Sequence, residues 1–90
     1  MSQAIVDPAE LRRFAQFLRR FNDDMQRQVA ATQTQLQNLN SSWRDQENQK
    51  FAEEFSQQMQ SIVGFMETIE EYERFLLRKA QKVEEYLNQK

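Results

Sequence analysis

The stretch Asn40-Ser41-Ser42-Trp43-Arg44-Asp45-Gln46-Glu47-Asn48-Gln49-Lys50-Phe51 decides the fold. It holds the only tryptophan of the chain, set among two serines and an aspartate, and it breaks a helical rhythm of apolar residues that runs on both sides of it. Asn40, Ser41 and Ser42 carry short polar side chains that compete with helical hydrogen bonding, so they can end one helix. Ser42 or Asp45 can cap the next, and Asp45 and Glu47 suit the positive end of its dipole. The stretch reads as a bend.

Upstream, Asp7-Pro8-Ala9-Glu10 marks a helix start, with Asp7 as N-cap, Pro8 at the first helical position and Glu10 three residues on as in a capping box. Apolar side chains then fall at Leu11, Phe14, Leu18, Phe21, Met25, Val29, Leu36, Leu39 and Trp43, with Thr32 filling the gap. Downstream, Phe51, Phe55, Met59, Ile62, Met66, Ile69, Leu76, Ala80, Val83 and Leu87 keep the same rhythm, broken only by Glu73. Steps of three and four belong to a helix, since a strand would alternate by two. The spacing predicts one domain over residues 1–90, with a first helix over about 8–40, a turn over 41–45 and a second helix over 46–88. At about 1.5 Å per residue these rods reach roughly 50 Å and roughly 60 to 65 Å.

Two rods with one apolar stripe each and a short connection pack lengthwise on one another. The fold class is therefore all-α, an antiparallel helix-turn-helix hairpin. Folding about Arg44 sets residue i opposite roughly residue 88 − i, which places Arg19 and Arg20 beside Glu67, Glu70, Glu71 and Glu73. Pairing across that line is expected to hold the acids on a solvated face. Glu73, near the core stripe, is expected to tilt toward Arg12, Arg19 or solvent, because an unpaired buried carboxylate is costly. Gly64, the only glycine, sits inside the second helix, where close packing or a bend would account for it.

At 100° per residue several aromatics leave the main stripes. Phe17, Phe65, Tyr72 and Phe75 fall on one side of the hairpin near its open end, with Tyr86 drifting the same way. Such a patch reads as a partner interface, most simply two hairpins pairing as a four-helix-bundle dimer, either two copies or a copy with a related hairpin.

Composition narrows the chemistry. Acids (14) and bases (12) nearly cancel to a net charge of −2, so a nucleic-acid footprint is not expected. The absence of histidine and cysteine removes the commonest general base, metal ligands and thiol chemistry. No catalytic, cofactor-binding or metal-binding residues are assigned, and no enzymatic function is expected. The N-terminal sequence has neither the basic nor the apolar region of a secretory signal, and no apolar run is long enough to span a bilayer.

Trp43 with Asp45, followed by Phe51 and Phe55, resembles the WXG family of early-secreted-antigen-like proteins. The resemblance covers the whole chain in length, two long helices, a central tryptophan and aromatics eight and twelve positions beyond it. It implies a dimeric hairpin whose Trp43-Arg44-Asp45 turn helps to form a recognition surface, and which meets a type VII secretion machinery. The chain departs from the family twice. Asp45 stands where the family has glycine, and neither Tyr72 nor Tyr86 is followed four residues later by an acid, the family's export signal, since Leu76 and Lys90 stand there. Two readings follow: a secretion substrate or carrier subunit exported without a signal peptide, or a cytoplasmic helical adaptor or chaperone-like protein.

Overall fold

The structure is a computed structural model that describes residues 6–89. It consists of α1 (Pro8–Ser42, 35 residues) and α2 (Gln46–Leu87, 42 residues), folded into an antiparallel hairpin that measures 70 × 20 × 15 Å. The expected boundaries differ from these by no more than two residues. The N-terminal segment read for a signal lies largely outside the described residues.

The helix starts are made by aspartates. Asp7 is extended and its carboxylate accepts from the Ala9 amide at 2.9 Å, which satisfies one of the free donors of the first turn. Glu10 does not complete a capping box. Its carboxylate pairs at 2.7 Å with Arg13, one turn further along the same helix.

Inward positions follow a strict alternation of four and three residues in α2: Asn48, Ala52, Phe55, Met59, Ile62, Met66, Ile69, Glu73, Leu76, Ala80 and Val83. In α1 the same steps run from Leu11 through Ala15, Leu18, Asn22, Met25, Val29 and Thr32 to Leu36. A 3.5-residue repeat keeps one seam facing its neighbour along the whole length of a helix pair. This seam corrects the stripe expected for the first helix. Phe14 and Phe21 are 54% and 39% exposed, and their places are taken by Ala15 and Asn22, at 1% and 4%. The shift is one residue, about 100° around the helix. It admits small side chains where the backbones approach and turns the phenylalanines onto a flank.

Asn22 fixes the register. Its Nδ2 donates at 2.8 Å to the carbonyl of Met66, so the two residues face each other on the expected line, and the Oδ1 of Asn22 is buried without a hydrogen-bond partner among the described residues. A buried amide in a largely apolar seam penalises sliding, because a shifted register would strand its donors as well.

The expected pairing of Arg19 and Arg20 with the glutamates of α2 is not made at ion-pair distance. Arg20 lies on the outer side of α1, about 200° around from Asn22. Arg19 borders the same groove as Glu70 and Glu73 without closing on either. The interhelical ion pair that forms instead joins Arg12, whose Nε and Nη2 donate at 2.9 and 2.7 Å, to the two carboxylate oxygens of Glu84. Helical side chains lean toward their own N-terminus, so in an antiparallel pair residues offset beyond the direct register converge. Gly64 is not crowded, since a Cβ built there would meet nothing within 4 Å, and α2 runs through it without interruption.

The hydrogen bond from Arg12 holds the Glu84 carboxyl below its ordinary value, against an opposing effect of desolvation and with a smaller further lowering from the arginine's charge. A group whose folded pKa is depressed stabilises above its unfolded pKa and loses that contribution as pH falls through the folded value. Urea titrations of wild type and Glu84→Gln should therefore show a stability difference that is constant near neutrality. It should close below about pH 4, the ordinary carboxylate range. A difference that persisted in stronger acid would assign Glu84 a packing role instead.

Candidate protein-protein interface

Three residues make the bend. Trp43 caps the end of α1, and its amide donates to the Leu39 carbonyl at 2.9 Å. Three carbonyls near the end of α1 find local donors. Asn38 accepts from the Ser41 hydroxyl at 2.7 Å, Leu39 also from the Ser42 hydroxyl at 3.2 Å, and Ser41 from Arg44 Nε at 3.1 Å. The expected roles of Ser41 and Ser42 as terminators thus have a concrete form, and Arg44 places its positive charge on the negative end of the α1 dipole.

Asp45 then starts α2. Its carboxylate accepts from the Asn48 amide at 3.1 Å, and Asn48 Nδ2 reaches back to the Trp43 carbonyl at 2.6 Å. The half-buried indole packs against Phe51 with ring centroids 5.7 Å apart, and Phe51 stacks on Phe55 at 5.6 Å. Trp43 is thus the first rung of an aromatic ladder that covers the closed end of the seam.

The four residues expected to carry association are exposed: Phe17 57%, Phe65 48%, Tyr72 55% and Phe75 57%. Phe21 meets Phe65 edge to face at 6.3 Å across the hairpin, which places the aromatic flanks of the two helices on one face. Phe14 stacks on Phe17 at 6.4 Å, and a groove of about 720 Å³ opens between Phe14, Leu18, Tyr72, Phe75 and Leu76. Sequence reasoning missed Phe14 and Phe21 on this face by assigning both to the core. The signal that finds them is their own spacing, since Phe14 and Phe21 repeat at seven residues, as do Phe65 and Tyr72. On α2 the same phase continues to Phe51 and Tyr86. This is a second seam running beside the first.

Among the described residues no group of three or more acidic side chains is placed to hold a metal, and no helix is long and apolar enough to cross a membrane.

A family model, proteins of 100 residues with WXG, matches residues 3–86. The chain belongs to the WXG100 family. Two solved structures share the hairpin. The secreted protein EsxB from Bacillus anthracis strain Sterne superposes with a TM-score of 0.83 at 25% identity, covering 98% of this chain and 100% of that one. A point mutant of the same protein gives 0.81 at 23% identity, covering 100% and 99%. No curated protein sequence matches the chain.

The WXG100 glycine is replaced here by Asp45, and the backbone shows why this is tolerated. Asp45 has φ −101° and ψ −179°, ordinary extended geometry, and no described residue has a positive φ. The bend does not use the left-handed region that only glycine enters freely. What position 45 must supply is a cap for α2, which aspartate does through its side chain. Asp45→Gly is accordingly expected to cost only a few tenths of a kcal/mol, and Asp45→Ala about 1 kcal/mol. Denaturant midpoints of the two variants decide this. A glycine variant more stable than wild type would mean that the bend is strained by the aspartate.

Proposed function

We propose that this WXG100 chain acts by protein–protein association and not by chemistry, pairing with a second hairpin, in the simplest case a copy of itself, to form a four-helix bundle. The observation that carries the reading is the aromatic face. Phe14, Phe17, Phe21, Phe65, Tyr72 and Phe75 are each about 40 to 57% exposed on one side of the molecule. Rings of this size bury roughly 150 to 250 Å² each when covered, so the face presents several hundred Å² of contiguous apolar surface, at or above the largest patch of an ordinary monomer. A helix pair with a second heptad-spaced seam gains most by covering it with another helix pair.

Within that reading the dimer is a substrate or carrier of a type VII secretion machinery and leaves the cell without a signal peptide. Family membership supports this, as does the likeness to EsxB, a protein described as secreted. The cytoplasmic adaptor reading is favoured by one observation, the absence of an acid four residues after either tyrosine.

Sedimentation velocity on the purified chain tests the association. The wild type is expected to sediment as a dimer, and Phe75→Asp and Tyr72→Asp as species shifted toward monomer with helical circular dichroism retained. A dimer unchanged by both substitutions would remove this face as the interface.

Fractionation of the native host separates the two cellular readings. Export predicts protein in the culture medium that disappears when the secretion ATPase is deleted. Protein confined to the cytosol in both strains would establish the adaptor.

A further inference from the structure

A charged stripe on α1 borders the aromatic face. Glu10, Arg13, Phe17, Arg20, Asp24 and Arg27 follow one another in steps of three and four residues, so they share one edge of the helix, and all six are exposed. Glu10 pairs with Arg13 at 2.7 Å and Asp24 pairs with Arg27, each within one turn, while Arg20 has no ion partner among the described residues. Laid against a reversed copy of itself with residue i opposite residue 37 − i, the stripe meets an attractive neighbour at every position. Glu10 faces the partner's Arg27, Arg13 faces the partner's Asp24, and Arg20 lies over the ring of the partner's Phe17, a favourable place for a guanidinium. Each Glu10 and Arg13 then close with the partner's Asp24 and Arg27 into a ring of four alternating charges. Exposed pairs contribute little singly, and a closed network is the exception.

The other helix locates the same centre without any charge. Phe65, Thr68, Tyr72 and Phe75 lie symmetrically about residue 70, so a reversed copy sets Phe65 against the partner's Phe75 and Thr68 against the partner's Tyr72. Thr68 suits that place, because its hydroxyl donates to the Gly64 carbonyl at 3.2 Å and its methyl is left to meet a ring. Within one hairpin residue i faces residue 88 − i, as Asn22 and Met66 do, and on that line residue 70 lies opposite residue 18, where the α1 stripe has its centre between 18 and 19. A two-fold axis crossing the hairpin at right angles requires this coincidence, since it turns α1 onto α1 and α2 onto α2. The long-range charge agrees. Residues 21–73 hold ten acids against three bases, whereas residues 7–20 and 74–90, toward the open end, hold nine bases against four acids. Hairpins running the same way would stack like charge on like, and reversed hairpins avoid it.

On the footing of association through the aromatic face, we infer that the covering hairpin is a second copy of this chain, docked head to tail about an axis near residues 18, 19 and 70, and that Glu10, Arg13, Asp24 and Arg27 select it over other hairpins. The α2 rim has no matching set of charges, so the selection rests on α1. Because the axis lies nearer the open end, each bend reaches about 12 Å past the end of the partner's α2, at about 1.5 Å per residue. Trp43 stays uncovered there.

Charge exchange tests the selection. Glu10→Lys with Asp24→Lys makes every charge of the stripe positive, and Arg13→Glu with Arg27→Glu makes the four ring positions negative. At low ionic strength each double variant alone is expected to dimerise about tenfold or more weakly than wild type in sedimentation velocity, with helical circular dichroism retained. An equimolar mixture of the two should recover the wild-type affinity. The orientation is read on the unaltered stripe. The chain has no cysteine, so Gln37→Cys at an exposed position carries one nitroxide per copy. Pulsed electron paramagnetic resonance should place the two labels at least about 55 Å apart, against less than about 35 Å for hairpins running the same way.

A short distance, double variants that dimerise as tightly as wild type, or a mixture that gains nothing over its components would overturn the inference. If Phe75→Asp still dissociates the wild-type pair, association through the aromatic face stands without it. A wild type that stays monomeric alone yet pairs with a related hairpin would overturn the choice of a second copy. A dimer indifferent to Phe75→Asp would remove the face itself, and the inference with it.

Discussion

Three residues between helices of 35 and 42 leave each helix one place to bury its apolar stripe, along the other. Every further feature follows from that constraint. An antiparallel pair held over this length needs a repeat close to 3.5 residues, and α2 supplies it at every inward position from Asn48 to Val83. The seam has polar interruptions. Asn22 spends one hydrogen bond on the Met66 carbonyl to fix the alignment, and Glu73 sits where a leucine would add burial. With an interior only two helices wide, no described residue larger than alanine is fully enclosed, and the fully buried positions among them are Ala15 and Ala80. Two helices alone cannot surround a large side chain, so apolar material remains on the outside.

That leftover surface explains how much was legible in the sequence. The helices, their ends and the bend could be read because each is set by local chemistry: Asp7 and Asp45 as caps, Pro8 at a first position, the serines before Trp43. The register could be read because a short connection fixes it geometrically. The aromatic face was legible only in part. Phe17, Phe65, Tyr72 and Phe75 stood out because they broke the stripe, whereas Phe14 and Phe21 seemed to belong to it. Hydrophobicity does not say which neighbour a side chain will meet, and a helix with two seams looks in sequence like a helix with one broad stripe. Burial separated them, giving the small residues Ala15 and Asn22 to the inner seam.

Electrostatics was the least legible layer. Charge complementarity between the arginines of α1 and the glutamates of α2 holds along the line of contact, yet only Arg12 and Glu84 meet across it among the described residues. The lean of helical side chains decides which of many opposite charges converge, and sequence position does not reveal it. Arg19 and Glu73 line a groove on the side of the hairpin away from the aromatic face, which keeps a polar side distinct from an aromatic one. One molecule therefore offers two surfaces of different character to its surroundings.

The bend carries an evolutionary consequence. Because its dihedral angles lie where any ordinary residue is at ease, the tripeptide after the serines is constrained by electrostatics and not by shape. The third letter can then be glycine or a side chain able to receive an amide proton. A signature written as letters will overlook such descendants, while one written as a job, start the second rod here, will recognise them.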